Sequence, residues 1–336
     1  MNVLSLFNGM STGHTALDNV GIKVDKYYSS EIKPAAIKLT QHHYPDTIQL
    51  GDINNWEDWD IDWASIDMVL SGSPCQDLSI AGKRKGLEGE KSSLFWVFVE
   101  IFRTIQKINP YVLFLQENVG SAPKSDVGIM SRALGVYPVR INSKLVTAQM
   151  RDRYYWSNIR TTVDGLFGDL VTDIPQPKDR KIKFKDIITK GYTDRKKARP
   201  ILESEERPLK DKKKLLKRYK DFGMINIVFE KEEFIFKYRN KNGYKSLKKN
   251  SIINLKKNKE YRKIYDDKST ALLEANDPLY VNDNLELRIL NQIELERLQG
   301  FPDGWTSILT RNRAASLLGD GWTLPIIEHI FSFIKR

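Results

Sequence analysis

One cysteine in 336 residues leaves no second thiol for an internal disulfide, so a reducing cytoplasm is the expected location. Histidine is almost as scarce. His14, His42, His43 and His329, with that single thiol, give no zinc-ligand spacing, and no metal is expected. No apolar run approaches the roughly 18 residues that cross a bilayer, and Met1-Asn2-Val3-Leu4-Ser5-Leu6-Phe7 lacks the basic flank and cleavage pattern of a signal peptide. No membrane partner is expected. Within residues 178–268 it is acid that is short: 14 Asp and Glu stand against 31 Lys and Arg, while the rest of the chain carries 29 against 23. The whole net charge of +11 therefore comes from one central segment. A charge run is often only a solvated face, but an excess concentrated in one region fits the electrostatic footprint of a polyanion, and nucleic acid is the favoured partner.

What is present is an alternation of strands and helices. Apolar strands are expected at Asn2 to Phe7, Lys26 to Ser30, Ile48 to Leu50, Asp67 to Leu70 and Tyr111 to Leu115. Between them lie helical stretches holding Ala16, Leu17 and Val20, then Ala35, Ala36 and Leu39, then the amphipathic run Leu94 to Ile108. This order predicts right-handed βαβ units and an α/β fold with a mostly parallel, doubly wound sheet. From about Val163 the pattern gives way to a Lys- and Asn-rich segment broken by Pro175, Pro177, Pro200 and Pro208, with short β-like runs at Ile225 to Glu230 and Phe234 to Tyr238. It reads as a smaller, irregular second domain. Order resumes with expected helices over Leu287 to Gln299, ended by Gly300-Phe301-Pro302, and over Leu324 to Ile334.

Successive strand ends supply the chemistry. Asn8-Gly9-Met10-Ser11-Thr12-Gly13 follows the first strand, and its glycines let the backbone turn tightly at the start of a helix. Glu31 ends the second strand, about 20 residues past that turn, where an acid can hold ribose hydroxyls. Asp52-Ile53 follows the third strand, within reach of an adenine amine. Together they suggest an adenosine-type cofactor, against the plainer reading of three ordinary loops. The fourth strand runs into Ser71-Gly72-Ser73-Pro74-Cys75-Gln76, and the fifth into Gln116-Glu117-Asn118-Val119. A lone cysteine is often just a small buried hydrophobe, but a Gly-Ser-Pro turn at a strand's carboxyl end exposes the side chain that follows. Cys75 and Glu117 lack the histidine base that acyl transfer wants. A thiol beside a carboxyl suits attack on an electron-poor ring, with the acid protonating a ring nitrogen as the thiolate adds. Arg151 and Arg153, at strand spacing, could raise the thiolate fraction.

Phe7-Asn8-Gly9, Pro74-Cys75-Gln76, Glu117-Asn118-Val119, Gln149-x-Arg151-x-Arg153 and Arg288 to Pro302, ending Glu-x-x-Arg-Leu-Gln-Gly-Phe-Pro, stand in the order and spacing of the DNA (cytosine-5)-methyltransferase family. The resemblance covers roughly residues 1–160 and 287–336. The chain's size is like bacterial or phage enzymes, and Phe7 to Gly13, Arg153 to Asn158 and Gly319 to Ile327 look most like the animal de novo branch. The resemblance implies the S-adenosylmethionine-dependent methyltransferase fold. Residues 1–162, completed by 310–336, would form the catalytic and cofactor-binding domain, and 163–309, with the family helix at 287–302, the target-recognition domain.

The family also implies roles. S-adenosylmethionine would lie across the strand ends, touching Phe7, Asn8, Gly9, Ser11, Thr12, Gly13, Glu31, Ile32, Asp52, Ile53, Ser73, Pro74, Leu94 and Trp322. In double-stranded DNA a flipped cytosine would be attacked at C6 by Cys75, with Glu117 on N3 and Arg153 at O2. Asn118 would orient the Pro-Cys loop and Arg151 support the site. The stretch Ser79 to Ser93 matches the mobile loop that closes over DNA, and Gln76, Ser79, Lys83, Arg84 and Lys85 would contact it. A monomer is expected, with a cognate restriction endonuclease as a candidate partner. One departure concerns Gly319-Asp320-Gly321-Trp322-Thr323, where the family commonly has Gly-Asn-Ser-Val; it puts a cofactor role for Asp320 and Gly321 in doubt. Two other readings remain: an RNA (tRNA) cytosine-5 methyltransferase, and a catalytically inactive relative that only binds DNA.

Overall fold

The computed structural model describes residues 1–74, 94–165, 168–193, 195–202, 211, 214–215, 218–219, 225–230 and 287–335, and the backbone of 238–240 and 243–245. Its centre is a sheet of β1 (Asn2–Leu6), β2 (Lys26–Ser30), β3 (Ile48–Gln49), β4 (Met68–Ser71), β5 (Leu113–Val119), β6 (Val139–Asn142) and β7 (Asp152–Ser157). Their spatial order is β3-β2-β1-β4-β5-β7-β6. β7 runs antiparallel to both of its neighbours, and the pairs from β3 to β5 are parallel. The expected α/β fold with a mostly parallel sheet is the fold observed.

Alternation along each strand explains why both faces are covered. Val3, Leu70, Leu115 and Tyr155 enter one buried cluster, and their neighbours Leu4, Val69, Phe114 and Trp156 enter the other. The second cluster is closed by α3 (Leu94–Ile108), which buries Phe95, Phe98, Val99, Ile101, Phe102 and Ile105 along one stripe. Each such side chain contributes roughly 1.5–3 kcal/mol on burial. α4 (Lys124–Leu134), ended by Gly135 in the left-handed conformation, adds Met130 and Leu134 to it.

The first cluster is covered by α1 (Thr12–Asn19) and α2 (Pro34–His43), and by the C-terminal part of the chain. After the short α5 (Phe184–Ile187) come α6 (Gln292–Gln299), α7 (Arg311–Asp320) and α8 (Leu324–Phe331). Leu290, Leu295, Leu298 and Phe301 share this cluster with Val3 and Leu70, so the main core runs across the division expected at residues 309 and 310. A third, smaller cluster holds Leu215, Tyr219, Ile225, Ile227, Phe229 and Leu287. Small strand pairs lie outside the main sheet: β8 (Thr161–Asp164) with β9 (Asp169–Thr172), β10 (Val228–Phe229) with β13 (Leu287–Arg288), and β11 (Tyr238–Asn240) with β12 (Gly243–Lys245).

Three element expectations need correction. Leu287 does not begin a helix. It pairs with Phe229 in β13, and α6 starts only after Asn291, whose side chain accepts from the Glu294 N–H while Glu294 accepts from the Asn291 N–H. This reciprocal cap fixes the helix start at Gln292, five residues later than apolar spacing suggested. The fifth strand is also longer than expected: β5 continues through Gln116, Glu117 and Asn118 to Val119 because β7 supplies partners for all of them. The last helix ends at Phe331 instead of Ile334. Of the run expected at Phe234 to Tyr238, residues 234–237 lie outside the described residues.

Candidate active site

Register brings the strand ends into one row. Leu6 pairs with Ser30 and Ser71, Ser71 with Gln116, and Gln116 with Trp156. The next residue of each chain segment is therefore Phe7, Glu31, Gly72 or Glu117, all at the carboxyl edge where open α/β sheets place ligands.

The first turn is held from within. Phe7, Gly9 and Ser11 all have φ between 57° and 60°, so the chain from 7 to 11 is left-handed at every second residue. Such a turn needs internal bonds to persist. Asn8 Nδ2 donates to Ser11 Oγ at 2.8 Å and to Thr40 Oγ1 at 3.3 Å, and Tyr27 donates its hydroxyl to Asn8 Oδ1 at 3.2 Å. Burial pushes the Tyr27 hydroxyl well above its usual value, so it stays a neutral donor. The side chains of Asn8 and Ser11 thus shape the loop, and Gly13 sits tight behind it: a Cβ there would lie 2.4 Å from Leu70 Cδ1.

Glu31 closes the loop. Its Oε2 accepts from the Gly9 N–H, and its Oε1 from the N–H groups of Ile32 and Lys33, each at 2.8 Å. Beside it Ile32 is 67% exposed, an apolar side chain left uncovered at the strand edge. Asp52 Oδ1 accepts from Asn54 N and Nδ2, both at 2.9 Å, and Ile53 is buried. Thr12 and Gly13 are buried at the start of α1, while Leu94 is partly buried at the start of α3.

The other end of the row is a cluster around Glu117. Its Oε1 is 2.6 Å from Arg153 Nε, and its Oε2 accepts from Trp322 Nε1 at 3.2 Å. The Glu117 side chain is 10% exposed and that of Arg153 15%, a pair largely withdrawn from water. Arg151, one residue ahead of β7 and buried, points its guanidinium elsewhere: it donates to the carbonyls of Gly319 and Gly321, each at 3.0 Å. The two arginines of the Gln-x-Arg-x-Arg motif therefore divide the work, one on the carboxylate and one on the segment that delivers Trp322. Gln116 Nε2 donates to Ser73 Oγ at 2.9 Å, tying the turn before Pro74 to β5. Asn118 Oδ1 accepts from the Val119 N–H, and its buried Nδ2 has no partner among the described residues.

A family model described as C-5 cytosine-specific DNA methylase matches residues 1–336. The chain belongs to that family. Orphan methyltransferase M.SPRI of Bacillus phage SPR is 30% identical over 203 residues, which are 57% of this chain and 43% of that protein. Type II methyltransferase M.HpaII of Haemophilus parainfluenzae is 26% identical over 341 residues, covering 97% of this chain and 86% of the relative. The chain spans less than half the length of the first curated relatives it matches, 43% and 33%. Among solved structures, the Entamoeba histolytica methyltransferase EhMeth superimposes with a TM-score of 0.59 at 13% identity, covering 99% of this chain and 97% of that one. The S. pombe Dnmt2 methyltransferase gives 0.52 at 15% identity, covering 99% and 98%. These likenesses show the methyltransferase fold.

Of the residues expected from the family, Glu117, Arg153 and Trp322 meet directly, and Arg151 joins them through backbone carbonyls. Ser73 reaches the same cluster through Gln116. Cys75, Gln76, Ser79, Lys83, Arg84 and Lys85 lie outside the described residues, as does the stretch Ser79 to Ser93. Among the described residues no three His, Cys, Asp or Glu side chains could hold a metal, and no helix is long and apolar enough to cross a membrane.

Sequence reasoning missed several supports. Asp320 forms an ion pair with Lys33 at 2.6 Å, linking the end of α7 to the start of α2 beside Glu31. Gln299 donates to the carbonyls of Leu318 and Gly321, and its Oε1 accepts from Thr323 Oγ1 and Gln149 Nε2. The unusual Gly-Asp-Gly-Trp-Thr text was the available signal for the first. The second joins residues 150 positions apart in sequence and carries no local signal.

Proposed function

We propose that this protein is a DNA (cytosine-5)-methyltransferase, moving a methyl group from S-adenosylmethionine to C5 of a cytosine flipped out of duplex DNA through a covalent Cys75–C6 adduct. The observation that carries the reading is the Glu117–Arg153 pair, at 2.6 Å on the carboxyl edge and one strand from the turn that leads through Ser73 and Pro74 to Cys75. A carboxyl and a guanidinium side by side match the N3 and O2 edge of cytosine: the carboxyl brings a proton to the ring nitrogen, which is an acceptor, and the guanidinium donates to the carbonyl oxygen.

The residues at the first three strand ends fit the cofactor by their chemistry. Glu31 is already an acceptor at the glycine turn, Asp52 lies one loop away, and the exposed Ile32 and half-buried Phe7 offer apolar surface to a base. S-adenosylmethionine bound there supplies an electrophilic methyl group. The chain's own residues do the rest. The Cys75 thiolate adds to C6, and Glu117 hydrogen-bonds or protonates N3 so that the ring's electrons collect at C5 rather than on nitrogen. Arg153 holds Glu117 and faces O2. After methylation a base removes the C5 proton, the C6–S bond breaks to restore the thiolate, and N3 gives its proton back to Glu117. Flipping costs a few kcal/mol that pocket contacts must recover. The basic region within 163–309 is assigned to holding and reading the duplex, through neutralised phosphates.

Cys75→Ser is expected to abolish methyl transfer while DNA binding persists. The test is expression in a methylation-free host followed by bisulfite sequencing. Survival of 5-methylcytosine at near wild-type level in the variant would sink the mechanism. Methylation of tRNA and not of duplex DNA by the wild type would favour the RNA reading instead.

A further inference from the structure

Trp322 has a contact that cofactor binding does not account for. Its indole N–H reaches Glu117 Oε2 at 3.2 Å, while Arg153 Nε holds Oε1. We propose that Trp322 is a positioning residue for Glu117, and that Gly72 lacks a side chain so that the indole can reach the carboxylate. The proposal rests on the reading of Glu117 as the group that meets N3.

Three features of the molecule converge on this. A Glu carboxyl swings about several single bonds, and one partner leaves its plane free to turn; donors on separate oxygens fix it. An ionised carboxylate has about four acceptor sites, so Arg153 and Trp322 leave acceptor capacity for a ring N–H. Next, the indole is gripped by the turn that leads to Pro74. A Cβ on Gly72 would lie 2.8 Å from Trp322 Nε1 and 3.3 Å from Cε2, so any larger residue there would push the ring off its present seat. Finally, the backbone on both sides of Trp322 is clamped. Arg151 donates to the Gly319 and Gly321 carbonyls, Gln299 donates to Gly321 at 3.2 Å, and Thr323 Oγ1 donates to Gln299 at 2.9 Å. Gly321 is itself pressed on Met10, which a Cβ would approach to 2.7 Å. A residue from the last strap of the chain is thus held against the β5 carboxylate with the rigidity that an aligned acid requires.

The test is Trp322→Phe, which keeps an aromatic ring over Gly72 and removes the donor. Loss of one hydrogen bond to a charged group is expected to lower kcat for DNA methylation about tenfold. Affinity for S-adenosylhomocysteine, read by calorimetry, should stay within about threefold. KM for duplex DNA should likewise stay within about threefold, so that the loss falls on kcat. A merely structural role would not confine the loss to kcat. Unchanged kcat, or a loss confined to cofactor affinity or to KM, would overturn the proposal. Should Trp322→Phe not fold, a second measurement answers: of the seven tryptophan indole N–H signals in a 15N spectrum of the wild type, one should move in both Glu117→Gln and Gly72→Ala. No shared movement would overturn it too. If the wild type makes no 5-methylcytosine, the proposed function fails, and the spectrum still reports on the contact.

Discussion

Glu294 is the point where a single substitution should do the most damage without touching the candidate site. The residue is fully buried, yet it is a carboxylate with five donors. Arg288 Nη1 and Nη2 take its two oxygens at 2.7 Å each, Thr189 gives its N–H and its hydroxyl at 2.9 Å, and the Asn291 N–H closes the cap at 3.0 Å. Through these bonds one side chain ties β13, the start of α6 and the residue two past α5. Breaking a buried pair by removing one partner costs about 3–5 kcal/mol, and the lost cap is part of that. Glu294→Ala is therefore expected to cost about 4 kcal/mol, and Glu294→Gln, which keeps one acceptor, about 2 kcal/mol. The dependence on pH has a definite sign. Burial pushes the Glu294 carboxyl up, but the Arg288 guanidinium and the Asn291 and Thr189 donors outweigh it and hold it below its usual value. Its contribution is then complete above the unfolded carboxylate value of about 4.3 and is lost as pH falls through the lower folded value. Urea unfolding followed by tryptophan fluorescence, from pH 7.5 down to about pH 3.5, reads both. The gap between wild type and Glu294→Gln should be flat above about pH 6 and narrow at the acid end. A gap below about 1 kcal/mol at pH 7.5, or one that widens with acid, would refute the reasoning.

Gly300→Ala should destabilise the protein by more than about 2 kcal/mol, because φ is +80° and the new Cβ would lie 2.3 Å from Pro325 Cδ; an unchanged melting midpoint would contradict this. Affinity for duplex DNA should fall steeply between about 50 and 200 mM salt, and a flat titration would remove the role assigned to the basic segment. Cys75→Ser and Trp322→Phe should separate chemistry from positioning: the first is expected to abolish methyl transfer, the second to lower kcat while KM and cofactor affinity hold.

Much of the site was legible because its residues sit in short contiguous motifs at strand ends. Phe7-Asn8-Gly9, Glu31 and Glu117-Asn118 needed only the alternation of strands and helices to be placed on one edge. The start of α6 was legible in principle from Asn291-x-x-Glu294, but the apolar spacing of Ile289 and Leu290 pointed to an earlier start, and β10 claims Leu287 and Arg288. The different duties of Arg151 and Arg153 were not legible. Strand spacing puts both on one side, yet which one meets Glu117 depends on a segment that returns 168 residues later.

The sequence by itself determined the α/β class, the edge that gathers the candidate site residues, and the family, because apolar period and short motifs are local properties of the chain. Only the tertiary structure decided that β7 enters antiparallel between β5 and β6, that Glu31 closes the glycine turn, and that Trp322 reaches Glu117 across Gly72. Those are contacts between distant segments. They are fixed by how buried faces and backbone partners are satisfied all at once, and no window of the chain contains that information.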